Sequence, residues 1–162
     1  MKYFILIVLL VFMTGCTNSN IESADKIWEV STEHRVNGNL RESITNLKKI
    51  MEYYPNDEYS IMAQFQIADI YLNDVKDYDF AVDEFQKLLN LNNDHDLSKK
   101  ALFMVGYIYS NYLDSYTDAM IYYKQFLEKY PDDELIPSVQ FELEGLKQHV
   151  PVIDSLNAIS NI

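Results

Sequence analysis

Between residues 22 and 148 the apolar positions recur three and four apart, the spacing of helices that bury one side. Ala81, Phe85 and Leu88 show it, and so do Ala119, Tyr123 and Phe126. The pattern also repeats at long range. A shift of 38 residues superposes Ala63 on Ala101, Phe65 on Phe103, Ile67 on Val105, Ala68 on Gly106, Ile70 on Ile108 and Tyr71 on Tyr109. It continues with Tyr78 on Tyr116, Ala81 on Ala119, Phe85 on Tyr123 and Leu88 on Phe126. Run backward, it sets Leu40, Ser43, Leu47 and Ile50 beneath Tyr78, Ala81, Phe85 and Leu88. Each unit therefore reads as two helices. In the first, a small residue (Ala68, Gly106) lets the neighbouring helix approach, and the tyrosine three positions on fills the gap beside it. Asp77, and Asp114 or Ser115, are expected to cap second helices, and Asp96 the first helix of the third unit. Pro55 and Pro131 follow second-helix ends. Glu134–Val150 reads as a lone first-type helix carrying Phe141 and Leu143. Pro151 breaks it, and Ile153, Leu156 and Ile159 mark a short docking helix or a frayed tail.

The best copy runs Ala101-Leu102-Phe103-Met104-Val105-Gly106-Tyr107-Ile108-Tyr109, followed by Tyr116, Ala119, Tyr123, Phe126 and Pro131. This resembles the tetratricopeptide repeat. The resemblance implies an all-α fold, a right-handed α-solenoid of about three helix pairs closed by a C-terminal capping helix. The period of 38 exceeds the family's, with extra residues in the turns near Asn73–Asp77, Leu91–Asp96 and Tyr112–Ser115. In the first copy Trp28, Ser31, His34, Ser43 and Leu47 hold the diagnostic places, and the second ends in Asn92-Asn93 without proline. Carried over by position, Trp28, Phe65, Phe103 and Phe141, spaced 37, 38 and 38, face the concave side. Arg35, Met62, Asp69, Leu72, Asn73, Tyr107 and Asn111 lie beside them, with Thr32 and Ser110. Such a surface implies a groove for extended or helical protein segments. The rings can equally pack between adjacent helices, and the two readings are compatible.

The N-terminus carries a different pattern. Lys2 is followed by eleven apolar residues, Tyr3 to Met13. That is shorter than the ~20 residues of a membrane span and fits a secretory signal. Met13-Thr14-Gly15-Cys16 resembles the bacterial lipoprotein box, which implies cleavage between Gly15 and Cys16 and lipidation of Cys16, the one cysteine. The expected organisation is a signal peptide over 1–15, a lipidated tether over 16–23, the solenoid over 24–150 and a tail over 151–162. Thr17 after the cysteine looks like outer-membrane sorting, at the periplasmic face. Address and period together resemble the BamD-type lipoproteins of outer-membrane β-barrel assembly, and also the repeat part of the periplasmic Tol–Pal coordinator.

Charge and chemistry narrow the functions. Twenty-five acidic and 13 basic residues give a net charge of −12, the wrong sign for nucleic acid. The body from Cys16 onward, with 12 basic and 25 acidic residues, carries −13 and is repelled by anionic headgroups, so the lipid alone is expected to touch the membrane. His34, His95 and His149 fall in different units, without metal-ligand spacing. Asp74-x-x-Asp77-x-Asp79 and Asn92-Asn93-Asp94-His95-Asp96 are acidic turns without the central glycine of a calcium loop. No phosphate loop or nucleophile elbow is present. The expectation is a scaffold with no catalytic residue, metal, cofactor or small-molecule substrate, whose partners are basic envelope proteins or peptides. The alternative from another class is a hydrolase acting at the cell wall, which needs two carboxylates facing each other in a closed cleft.

Overall fold

A computed structural model describes residues 22–91, 95–147 and 149. The expected signal, Cys16 and the tail 151–162 lie outside these residues, as do three members of the second acidic turn. Among the described residues seven α-helices follow one another: α1 (Ala24–Val36), α2 (Leu40–Tyr53), α3 (Glu58–Ile70), α4 (Tyr78–Leu91), α5 (Asp96–Asn111), α6 (Tyr116–Lys129) and α7 (Ile136–Leu146). No strand occurs among the described residues, and no described helix is long and apolar enough to cross a membrane. The pairs α1–α2, α3–α4 and α5–α6 stack in order, and α7 closes the last one. The first helices also touch one another, α1 with α3, α3 with α5 and α5 with α7, so they line the inner curve of the stack.

The core forms three clusters along the stack, bridged by partly buried Tyr71, Leu89, Tyr109 and Tyr122. Leu47 and Ile50 of α2 meet Ile67 and Ile70 of α3. Phe85 and Leu88 of α4 meet Val105 and Ile108 of α5, and Tyr123 and Phe126 of α6 meet Val139 of α7. Burying each such side chain contributes about 1.5–3 kcal/mol, which offsets the marginal stability of a lone helix pair. The small residues act as expected. Gly106 and Tyr123 are both buried, and a Cβ on Gly106 would lie 2.7 Å from the Tyr123 ring. In the first pair the small places hold Ser31 and Ser43, whose hydroxyls lie 3.1 Å apart. This degenerate copy thus substitutes a buried hydrogen bond for a methyl contact.

The helix ends depart from the sequence reading in four ways. The cap of α5 is His95, whose Nδ1 accepts from the Leu97 N–H at 3.1 Å; Asp96 is the first helical residue and pairs with Lys99. Ser115 occupies the cap position of α6 without capping it, because its hydroxyl donates to Asp118, while Asp114 holds φ 50° in the turn before it. Asp77 does cap α4, through the Phe80 N–H. The extra residues near Asn73–Asp77 are not a loop: α3 runs on into a π-helical turn, Tyr71–Val75, which ends at left-handed Lys76. Finally, α7 is shorter than Glu134–Val150. The chain turns at Asp133, whose carboxylate takes the Leu135 N–H at 3.0 Å, and Pro137 occupies the first helical turn.

Candidate functional site

The inner face divides into two halves of different character. Its N-terminal half is closed by ionic contacts. The Arg35 guanidinium donates at 2.6 Å to Asp69 and at 2.7 Å to Asp74, and the Asn73 amide donates to the other Asp69 oxygen at 2.7 Å. Three of the residues placed in the groove from sequence, Arg35, Asp69 and Asn73, therefore satisfy one another. They also commit Asp74, while Asp77 is committed to its cap, so that acidic turn does not converge. Among the described residues no group of three or more His, Cys, Asp or Glu side chains is placed to hold a metal ion.

The C-terminal half is a run of rings. Tyr78 stacks on Tyr112 at 4.4 Å, Tyr112 meets Tyr107 edge-on at 6.0 Å, Tyr107 lies 6.3 Å from Phe103, and Phe103 lies 5.8 Å from Tyr123. Asn111 is exposed and donates its amide to the Tyr107 carbonyl at 3.0 Å. The Tyr123 hydroxyl is buried and has no hydrogen-bond partner among the described residues. Burial pushes its phenol well above the ordinary range, and Glu142 and Tyr107 add to the effect. Burial likewise raises Tyr107, with Tyr112 and Glu142 contributing.

The four-ring series splits. Trp28 is half-buried against Tyr59 at 5.9 Å, and Phe65 sits edge-on to Phe85 at 5.2 Å. Phe103 is half-buried between Tyr107 and Tyr123, whereas Phe141 on the capping helix is 78% exposed. Three rings thus fill gaps between elements while keeping an open edge, and the fourth is open. Met62 is half-buried and Thr32 is exposed, its hydroxyl returned to the Trp28 carbonyl. Leu72 is a correction. It is 4% exposed and belongs to the core around Ala81, Phe85 and Val105, not to the groove. It lies four residues after Ala68, hence on the same helix face as that buried small position.

Tyr78, Tyr112, Tyr116 and Glu142 join the site without a groove signal in the sequence. Tyr78 and Tyr116 are legible as second-helix positions, but their ring partners, Tyr112 and His149, come from another unit and from the segment after α7. Glu142 carried no repeat signal, because the residues one and two periods earlier differ from it. A concavity of about 690 Å³ opens between α4 and α6 over Leu102. Gln86 and Tyr122 on its wall hydrogen-bond each other at 2.6 Å. Glu84 is the single buried carboxylate among the described residues, and it is held by Gln64 and Lys87, so it faces no second acid.

Residues 100–133, the α5–α6 pair, match the family model described as tetratricopeptide repeat. No curated protein matches the chain by sequence. Several solved structures share its fold. MamA of AMB-1 superposes with a TM-score of 0.59 at 16% identity, over 83% of this chain and 67% of that one. The N-terminal domain of stress-induced protein-1 from C. elegans gives 0.61 at 17%, over 74% and 93%. The TPR2AB domain of yeast Sti1, solved in complex with pHSP90, gives 0.63 at 17%, over 78% of this chain and 48% of that one, so this chain spans about half its length. The described residues thus form an all-α solenoid of the tetratricopeptide type, three helix pairs and a capping helix, with the repeat sequence itself matched in the third pair.

Proposed function

We propose that this protein is a non-catalytic scaffold that binds a protein segment along the inner face of its solenoid. The observation that carries the reading is the run of partly open rings from Tyr78 to Phe103, with Phe141 exposed beyond it. Aromatic side chains offer large contact area with few rotors to freeze, which suits them to peptide capture. The pHSP90 complex of yeast Sti1 supports the reading as a case in which a solenoid of this fold holds a protein partner. A net charge of −12 favours basic partners and predicts association that weakens with salt.

The finer reading places the scaffold in the bacterial envelope, lipidated at Cys16 and held at the periplasmic face of the outer membrane. It acts there in β-barrel protein assembly. The lipoprotein box and the repeat period of 38 support this. The test is photocrosslinking in intact cells from a benzoylphenylalanine at Phe141, with the adducts identified by mass spectrometry. Phe103→Ala is expected to abolish the adducts of a folded, membrane-associated protein. Unchanged adducts in that variant would refute the groove, and a protein unlabelled by radioactive palmitate would refute the anchor.

A further inference from the structure

Beyond the aromatic run, the C-terminal turn of α5 and the outer half of α7 enclose a cleft of about 230 Å³. Its lining includes Ser110, Asn111, Tyr116, Glu142, Gly145 and His149. Three observations point to one kind of occupant. Glu142 is half-buried and makes no ion pair among the described residues, whereas its neighbour Glu144 is paired with Lys147. The Asn111 amide N–H already donates to the Tyr107 carbonyl, which leaves its Oδ1 as an acceptor. The rings of Tyr116 and His149 stack at 4.6 Å with 27° between their planes, a flat wall beside those acceptors. Gly145 keeps the mouth open, since a Cβ placed there meets nothing within 4 Å.

We propose that this cleft is an arginine subsite, taking the guanidinium of a partner segment that lies along the inner face. The deduction rests on the scaffold reading above. A guanidinium is donor-only, planar and always charged, so it can fork onto the Glu142 carboxylate, donate to Asn111 Oδ1 and lie against the Tyr116–His149 wall. An ammonium meets the charge but not the flat wall. A neutral side chain leaves Glu142 unpaired in a half-buried place.

The test is an NMR titration of the ¹⁵N-labelled protein with Nα-acetyl-arginine methylamide, and with its neutral isostere Nα-acetyl-citrulline methylamide. The arginine compound is expected to give saturable amide shifts confined to Asn111, Tyr116, Gly145 and His149, and the citrulline compound none. Glu142→Gln is expected to weaken arginine binding by roughly fivefold or more, the loss of a charge-assisted hydrogen bond. Gly145→Leu, which adds a helix-favouring side chain in open space, fills the cleft and is expected to abolish the shifts. Equal binding of citrulline, or arginine shifts that survive both variants, would overturn the subsite. Arginine binding here together with cellular adducts that are indifferent to Phe103→Ala would uphold the subsite and remove the scaffold reading. Adducts lost in Phe103→Ala but kept in Glu142→Gln, with no arginine shifts, would do the reverse.

Discussion

Gly106→Ala probes the close approach of α5 and α6. The added Cβ would stand 2.7 Å from Cε1, 2.8 Å from Cδ1 and 3.2 Å from Cζ of Tyr123. Ordinary carbon contacts are about 3.5–4.0 Å, so the ring or the helix must yield by nearly an ångström. Tyr123 is fully buried and packs on Phe103 at 5.8 Å, which leaves the ring little room to swing. Alanine gains about 0.8–1.0 kcal/mol over glycine in a helix interior, whereas overpacking costs about 1–3 kcal/mol. The clash wins, and a net loss of about 1 kcal/mol is expected. Gly145→Ala supplies the control, because it makes the same chemical change where a Cβ meets nothing within 4 Å, and a small gain is expected there. Urea unfolding reads both: opposite shifts of midpoint with an unchanged slope. If Gly106→Ala proves as stable as Gly145→Ala, the close packing of α5 on α6 is wrong.

Three further outcomes follow from particular groups. Tyr123→Phe removes a buried hydroxyl that has no partner among the described residues and is expected to stabilise by about 1 kcal/mol in the same urea assay. The same hydroxyl sets an alkaline limit. Its folded pKa lies above the ordinary 10.0, so its contribution is complete below pH 10.0 and is lost as pH rises through the folded value. Circular dichroism against pH should therefore place unfolding above pH 10.0, and at higher pH still in Tyr123→Phe. Arg35→Gln leaves Asp69 and Asp74 facing each other without a counter-ion, with side chains 28% and 34% exposed; a loss of about 1 kcal/mol is expected in low salt, shrinking as salt is added. His95→Ala should cost about 1 kcal/mol in thermal melts and His95→Asp should restore it, whereas Asp96→Ala should cost under about 0.5 kcal/mol.

Helix pairs, their order, the small-against-aromatic contacts and the identity of most core residues were determined by the sequence itself. Apolar spacing of three and four leaves one way to bury a helix, and a repeated spacing leaves one way to stack its copies. What only the tertiary structure decided lies where units meet. Arg35 reads as a groove residue until α3 and its π-helical turn bring Asp69 and Asp74 against it, residues 34 and 39 positions away. Leu72 shares a face with Ala68, yet its burial required α4 to lie across that face. The caps are a local exception: His95 rather than Asp96 caps α5, and Ser115 does not cap α6, because the side chain takes the nearest partner, the Leu97 N–H in one case and Asp118 in the other, which apolar spacing does not record. Glu142 acquires its surroundings, Tyr107, Asn111 and Tyr116, only when α7 docks on α5 and α6. Periodicity records which side of a helix is dry. It does not record which neighbour lies on that side or what charge the neighbour brings.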